Sequence, residues 1–162
     1  MKTETKILEQ STSNSNSKIS LPEGVIGFPQ LNEMEIVYQE EELPFMWLCD
    51  AGDTDLSFLV VDPSKVLLEY APELSNLDVE FLGVESSQEI LLLNIATVHQ
   101  GDNSFVTLNL VGPIAVNRKT GKAKQIVISN FEKYSAHFPL VAAEDRNDVA
   151  LSGEYKYASS FA

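Results

Sequence analysis

The 162-residue sequence predicts a mainly-β domain, a small open antiparallel β-barrel with one or two short helices inserted. Three observations predict it. About nine short runs rich in β-branched and aromatic residues are separated by Gly, Pro, Asn and Ser. The hydrophobic period leaves two for a helical spacing at only two places, both within residues 62–83. Roughly seven to nine antiparallel strands of this length curl into a barrel or a sandwich, of which the small, open barrel is the expectation here. The length suits a single core, so residues 1–140 are expected to form one domain, with 141–162 a polar, mobile tail.

The first element is a hairpin of strands near residues 5–8 and 18–21, joined by the polar turn STSNSNS at 11–17. LPEGVIGFPQL follows at 21–31. Pro22 and Pro29 restrict φ while Gly24 and Gly27 permit a tight reversal, which predicts that Val25, Ile26 and Phe28 fold back as a plug over one barrel end. EIVYQ (35–39), FMWLC (45–49) and FLVV (58–61) read as strands, with Phe45, Trp47 and Phe58 in the core. Asp62 and Pro63 then make a helix start that carries Val66, Leu67 and Tyr70 on one face as far as Pro72. A second helix is expected at 76–82, capped by Ser75 or Asn76 and ended by Gly83. EILLLNIATV (89–98) is apolar on both parities and should be a central strand covered on both faces, with Asn94 needing hydrogen-bond partners inside it. SFVTLNL (104–110) alternates, with Val106, Leu108 and Leu110 inward and Thr107 and Asn109 outward. Pro113 interrupts the ladder. PIAVN and QIVIS flank RKTGKAK, a hairpin turn whose positive φ falls on Gly121.

Charge narrows the function. The chain carries 24 acidic and 11 basic residues, a net of −13, and the excess is local. Residues 33–89 hold fifteen acids against one base, Lys65, whereas the remainder is nearly balanced. Such a field repels phosphate backbones and attracts a basic protein partner, although acidic residues also serve simple solubility. MKTETKILEQ is not a secretory signal, and no apolar run is long enough to cross a bilayer, so a cytoplasmic protein without a membrane partner is expected. The single cysteine, Cys49, reads as a buried reduced thiol. His99 and His137 lack metal-ligand spacing, DAGDTD reads as a solvated turn rather than a calcium loop, and no nucleophile is paired with a base. No catalytic, metal or cofactor residue is therefore assigned, and the expectation is a protein that is not an enzyme. The basic hairpin Arg118, Lys119, Lys122 and Lys124 could be solvated, meet a protein's acidic patch, or touch RNA. Tyr70, between Glu69 and Glu73, is either a structural ring or an anchor for a basic partner. Tyr155, Tyr157 and Phe161 could form a short docking peptide or serve no function.

Several stretches in fixed order resemble one family. ETKIL, LPEGVIGFPQL, PFMWL, FLVVDP, EYAPEL, NLVGPIAVNRKTGKAKQIV and KYSAHFPL are similar to the flagellar assembly factor FliW family from about residue 2 to residue 140, the stretch at 109–127 being the most specific. The resemblance implies a non-enzymatic, mainly-β protein that binds the translational regulator CsrA and relieves its repression of flagellin translation. It also implies binding to flagellin, so that free flagellin draws the protein away from CsrA. The implied antagonism acts from a surface separate from the RNA site. A monomer is expected, and the acidic charge argues against direct nucleic-acid contact. The expected partner surface combines Glu69, Tyr70, Glu73, Asp78 and Glu80 with Asn109, Pro113, Ile114, Asn117, Arg118 and Lys124. The 11–17 turn is longer than the family's usual first hairpin, the chain after Leu140 matches no motif, and Gly112 replaces a slightly larger residue. The rival readings are a small-barrel RNA-binding protein using the hairpin at 118–124 and an acidic enzyme.

Overall fold

The computed structural model describes residues 17–101, 105–142 and 155–157. Among them are ten strands: β1 (Ser17–Ser20), β2 (Glu33–Val37), β3 (Phe45–Asp50), β4 (Ser57–Val61), β5 (Ile90–His99), β6 (Phe105–Leu108), β7 (Ile114–Asn117), β8 (Ala123–Gln125), β9 (Phe138–Ala142) and β10 (Tyr155–Tyr157). One α-helix, α1 (Asn76–Leu82), is inserted between β4 and β5. The named strands pair antiparallel in the order β1-β2-β3-β4-β5-β6-β9-β10, with β7 on β5 and β8 on β7. A single bridge, Ser20 with Lys122, draws β8 toward β1; the Ser20 N–H donates to the Gly121 carbonyl at 2.8 Å. The result is the open barrel that the sequence predicts. The expected strand at 5–8 and most of the 11–17 turn lie outside the described residues.

β5 organises everything else. Its second half pairs with β6 (Ala96 opposite Leu108) and its first half with β7 (Leu93 opposite Ile114). The Ile95 carbonyl accepts from Asn109 and the Glu89 carbonyl from Arg118, so residues of one parity serve both strands, and β6 and β7 follow one another along the same edge. Between those two pairs, two residues of β5 (94 and 95) face five of the opposing chain (109–113), which therefore has to absorb an excess. There the sheet forks, with β6 leading to β9 and β7 leading to β8.

The core follows the fork. Inside the barrel, Ile19, Leu21, Met34, Ile36, Leu48, Val60, Leu93 and Ile114 form one cluster. A second cluster, with Val61, Leu67, Ala96, Leu108 and Leu140, lies under the β6–β9 branch. In the third, Leu82 and Val84 pack with Ala115, Ile126 and Ile128 of the β7–β8 branch. β5 supplies Leu93 to the first cluster, Ala96 to the second, and Ile90 and Leu92 to the third. That explains its apolar residues on both parities.

The plug is partly as expected. Val25 is buried in the barrel cluster, and Phe28 packs against it with its ring edge-on to Phe58 at 5.6 Å. Val25 and Phe28 exchange backbone hydrogen bonds, and Gly24 and Gly27 hold φ of 72° and 92°. Ile26, however, is 63% exposed, because it sits at the tip of this reversal. The Asn32 amide closes the loop by donating to the carbonyls of Leu21 (2.9 Å) and Pro29 (3.1 Å).

Other expectations are corrected. The helix expected from Asp62 shrinks to one 3-10 turn, Pro63–Lys65, for which the Asp62 carboxylate accepts from the Ser64 N–H. Tertiary bonds then take the chain elsewhere: the Tyr70 hydroxyl reaches the Leu110 carbonyl, and Leu68 is left 92% exposed. α1 forms as predicted, with Ser75 as N-cap and Gly83 left-handed at φ 73°. Trp47 is 42% exposed, because the β3 pleat turns Leu48 inward instead. Thr107 is buried rather than outward, its hydroxyl 3.0 Å from His99 Nε2. Leu108 and Leu110 are buried as expected. β8 ends at Gln125, short of the full QIVIS run. Cys49 is a half-buried free thiol whose pKa is raised by burial and then by Glu35.

Gly24 and Gly27 separate two costs. A Cβ on Gly24 would stand 2.5 Å from the Phe28 carbonyl oxygen, whereas one on Gly27 meets nothing within 4 Å. Gly27→Ala is expected to lose roughly 1–2 kcal/mol from the left-handed conformation alone. Gly24→Ala adds the overlap and should lose roughly 2–5 kcal/mol, both read from urea unfolding midpoints.

Candidate functional site

At the fork every backbone polar group of residues 109–113 has a partner. The Asn109 N–H donates to the Ile95 carbonyl, and its own carbonyl accepts from Asn94 Nδ2 at 2.8 Å. The Leu110 N–H donates to Ser135, and its carbonyl accepts the Tyr70 hydroxyl at 2.6 Å. Asn109 Oδ1 accepts from the N–H groups of both Val111 and Gly112. The carbonyls of Val111, Gly112 and Pro113 accept from Ile128, Gln125 Nε2 and Ile126 respectively. Pro113 has no N–H to place. Gly112 is the residue that fits, since a Cβ there would be 3.3 Å from Asn109 Nδ2 and 3.4 Å from Gln125 Nε2. Asn94 thus finds the partners its burial demands, Asn109 and the Tyr70 hydroxyl, while its Oδ1 is the buried side-chain oxygen left without one.

This places the expected surface residues in two groups. Pro113, Ile114 and Asn117 are buried and lie beneath the surface. Asn117 ties the β7–β8 turn to α1: its Nδ2 donates to the Leu82 carbonyl, and its Oδ1 accepts from Lys119 and Thr120. Gly121 completes that turn with φ 81°. Asn109 is half-buried and committed to the fork. Asp78 and Lys124, widely separated in sequence, form one ion pair at 2.7 Å, with side-chain exposures of 10% and 24%. The Asp78 hydrogen bond raises the Lys124 pKa. Lys119 meets Glu89 at 3.4 Å, and Lys122 and Lys124 stand over the Phe81 ring. Much of the basic hairpin is therefore spent on the chain's own acids and on one aromatic face.

Glu69, Glu73, Glu80 and Arg118 remain exposed. Of the fifteen acids at 33–89, ten are exposed and only Asp78 is buried. The loop carrying Glu69 and Glu73 is fixed although it is not helical. The Tyr134 hydroxyl accepts from the Ala71 N–H at 2.9 Å, Asn130 bonds both the Glu73 N–H and the Ala71 carbonyl, and the Ser129 N–H donates to the Glu73 carbonyl. Beside this loop is a groove of ≈ 360 Å³, lined by Leu67, Tyr70, Leu110, Tyr134, His137 and Phe138 among others. The rings of Tyr70 and Tyr134 meet edge-on at 5.0 Å. Burial pushes the Tyr70 phenol up to about 12, against the smaller opposing effect of the Asn94 hydrogen bond.

Reactive chemistry finds no constellation among the described residues. No cluster of three metal-ligating side chains is present there. Asp50 folds over its own loop, accepting from the Thr54 hydroxyl and the Gly52 and Thr54 N–H groups, and Thr54 and then Gly52 hold its carboxyl below the usual range. His99 is stacked on Phe105 at 4.5 Å. No helix among the described residues is long and apolar enough to cross a membrane. Sequence reasoning missed Tyr134 and Asn130; KYSAHFPL held only the first, and nothing in the spacing marked either as a tether for the acidic loop.

A family model described as FliW protein matches residues 2–140. The chain is 33% identical over 121 residues to a protein of Thermosipho africanus named flagellar assembly factor FliW, a match spanning 75% of this chain and 83% of that one. It is 36% identical over 112 residues to a protein of the same name from Leptospira interrogans, spanning 69% and 75%. A crystal structure of the flagellar assembly factor FliW shares the fold with a TM-score of 0.67 at 24% identity, over 75% of this chain and 84% of that one.

Two outcomes test this geometry. The Tyr70 phenol is favoured neutral in the fold, so its stabilisation is intact below the ordinary value of 10.0 and is lost as pH rises through about 12. Tyr70→Phe should cost roughly 1–3 kcal/mol at neutral pH and flatten that alkaline loss, seen in unfolding midpoints against pH. Lys124→Ala, which strands the Asp78 carboxylate, should cost roughly 1–3 kcal/mol. Lys119→Ala breaks only an exposed pair and should stay below about 1 kcal/mol in the same assay.

Proposed function

The chain belongs to the FliW family, and on that premise we propose that it is a non-enzymatic flagellar assembly factor, a cytoplasmic monomer that works by binding other proteins. It captures CsrA, relieving repression of flagellin translation, and flagellin competes for the same protein. The observation that carries this reading is the acidic surface charge: ten exposed carboxylates within 33–89, with the Glu69–Glu73 loop pinned by Tyr134 and Asn130. A regulator that binds RNA must present a positive surface, and a fixed field of opposite sign accelerates encounter and selects orientation. Preorganisation lowers the cost of binding because no loop has to be ordered on contact.

The contact is assigned to Glu69, Glu73, Glu80 and Arg118, with Tyr70, Asp78, Asn109, Pro113, Ile114, Asn117 and Lys124 holding that surface in shape. RNA binding by the hairpin at 118–124 is the weaker reading, since Lys119 and Lys124 are paired with Glu89 and Asp78 and the surrounding field is negative. Antagonism from a surface of CsrA other than its RNA site is what membership of the family implies; the charges by themselves account only for the attraction between the two proteins.

Titration of the purified chain with CsrA should give binding that weakens as salt rises, with no binding of the chain to RNA alone at low salt. The variant Glu69→Lys/Glu73→Lys/Glu80→Lys should fold normally and associate with CsrA roughly tenfold or more slowly at low salt. An unchanged association rate, or tight RNA binding by the isolated chain, would overturn the proposal.

A further inference from the structure

We infer that the outer face of β2, β3 and β4 around Trp47 is a second docking surface, one that takes an extended segment of a basic protein. Strand pairing sets Val37 opposite Trp47, Trp47 opposite Leu59, Leu59 opposite Ala96 and Ala96 opposite Leu108, so an apolar row crosses from β2 to β6. Its far end is closed, because Ala96 and Leu108 are buried in the cluster under the β6–β9 branch. Its near end is open. Trp47 is 42% exposed, and Val37 and Leu59 on either side of it are only half-buried. Leu43, just before β3, is exposed as well. The alternate residues Ile36, Leu48 and Val60 fill the barrel, so the pleat gives the indole no way into the core. An indole set among apolar neighbours at the surface is the kind of group that carries binding energy between proteins.

The charge around this face selects the partner. Residues 33–61 hold eight acids and no base. Glu40, Glu41 and Glu42 form an exposed 3-10 turn between β2 and β3, directly before Leu43. Glu35, on the same side of β2 as Val37, stands opposite Cys49, whose thiol is raised first by burial and then by that carboxylate. Carboxylates therefore stand on both sides of Trp47 along the β2–β3 hairpin. Lys18, opposite Glu35 on β1, is the base that strand pairing brings beside them. Phosphate-bearing partners, whether a membrane surface or a nucleic acid, are repelled by such a rim. A second copy of this chain, with a net charge of −13, is repelled too. An arginine or lysine is drawn twice, by the carboxylates and by the indole, the aromatic face that holds a cation best. The segment that fits has apolar side chains for the open end of the row and basic ones for its rim. Glu69, Glu73 and Glu80 lie outside these strands, so the inference stands independently of the contact assigned to CsrA.

Trp47 is the single tryptophan, so its emission reports on this face alone. The probe is a short peptide alternating arginine with leucine, and the control is its glutamate counterpart. At low salt the arginine peptide should move the emission of the full chain to shorter wavelength and cut acrylamide quenching severalfold, whereas the glutamate peptide should do neither. Glu40→Gln/Glu41→Gln/Glu42→Gln should weaken the arginine peptide roughly tenfold, and the charge-matched Glu73→Gln/Glu80→Gln/Glu85→Gln should change it by less than about twofold. With a fluorescent tag on the peptide, Trp47→Ala, checked for folding by its amide spectrum, should weaken binding roughly tenfold or more. An unchanged emission overturns the inference. So do equal binding of the two peptides, equal losses in the two glutamine variants, and full binding by Trp47→Ala. Emission that shifts with protein concentration alone also overturns it, since a second copy then covers the face.

Discussion

One edge of β5 has to serve two strands of the same passing chain, and the rest of the molecule is arranged around that demand. A ten-residue strand offers a continuous ladder, but β6 and β7 meet it three residues out of step. The excess at 109–113 would leave backbone groups unpaired in a buried place, where each costs roughly 1–3 kcal/mol. Asn94, Asn109, Tyr70 and Gln125 remove that cost with side-chain bonds. These four polar residues therefore explain why a single sheet can divide into a barrel wall and a separate β6–β9 branch. They also explain why Gly112 and Pro113 stand where they do, one lacking a Cβ and the other lacking an N–H.

The same network sets the charge distribution that a partner meets. Tyr70 belongs to the acidic loop and bonds the fork, while Tyr134 and Asn130 fasten the loop from the other side. Glu69 and Glu73 are thus carried on irregular backbone that has no helix to stiffen it and is nevertheless held at several points. On the opposite flank, α1 brings Asp78 and Phe81 to the basic hairpin and absorbs its positive charge locally. The field stays negative because 24 acids face 11 bases, and two of the hairpin's bases, Lys119 and Lys124, are paired with Glu89 and Asp78.

Local features were legible in the sequence, and those set by distant partners were not. Ser75 and Gly83 mark the ends of α1 because capping is a matter of neighbouring residues. Gly121 and Gly24 declare their turns for the same reason. The two apolar parities of β5 gave its central place. The Asp62–Pro63 start was equally clear locally, yet the helix stopped after one turn, because Tyr70 gains more from Leu110 and Asn94 than from a further helical turn. Thr107 and Trp47 followed alternation that the sequence could not assign to a face. Within the expected partner surface, the sequence could not tell the exposed Arg118 from the buried Ile114 and Asn117, since only the fold decides which residues face inward.

A surface of this kind suits the partner exchange proposed above. Two macromolecules can compete for one chain without any rearrangement of its core if the recognition groups are already fixed, because each then loses only its own freedom on binding. The fork, the tethered acidic loop and the groove all meet at Tyr70, whose hydroxyl faces the fork and whose ring faces the groove. Because the hydroxyl is held by both Leu110 and Asn94, Tyr70 is fixed where the fork, the loop and the groove join.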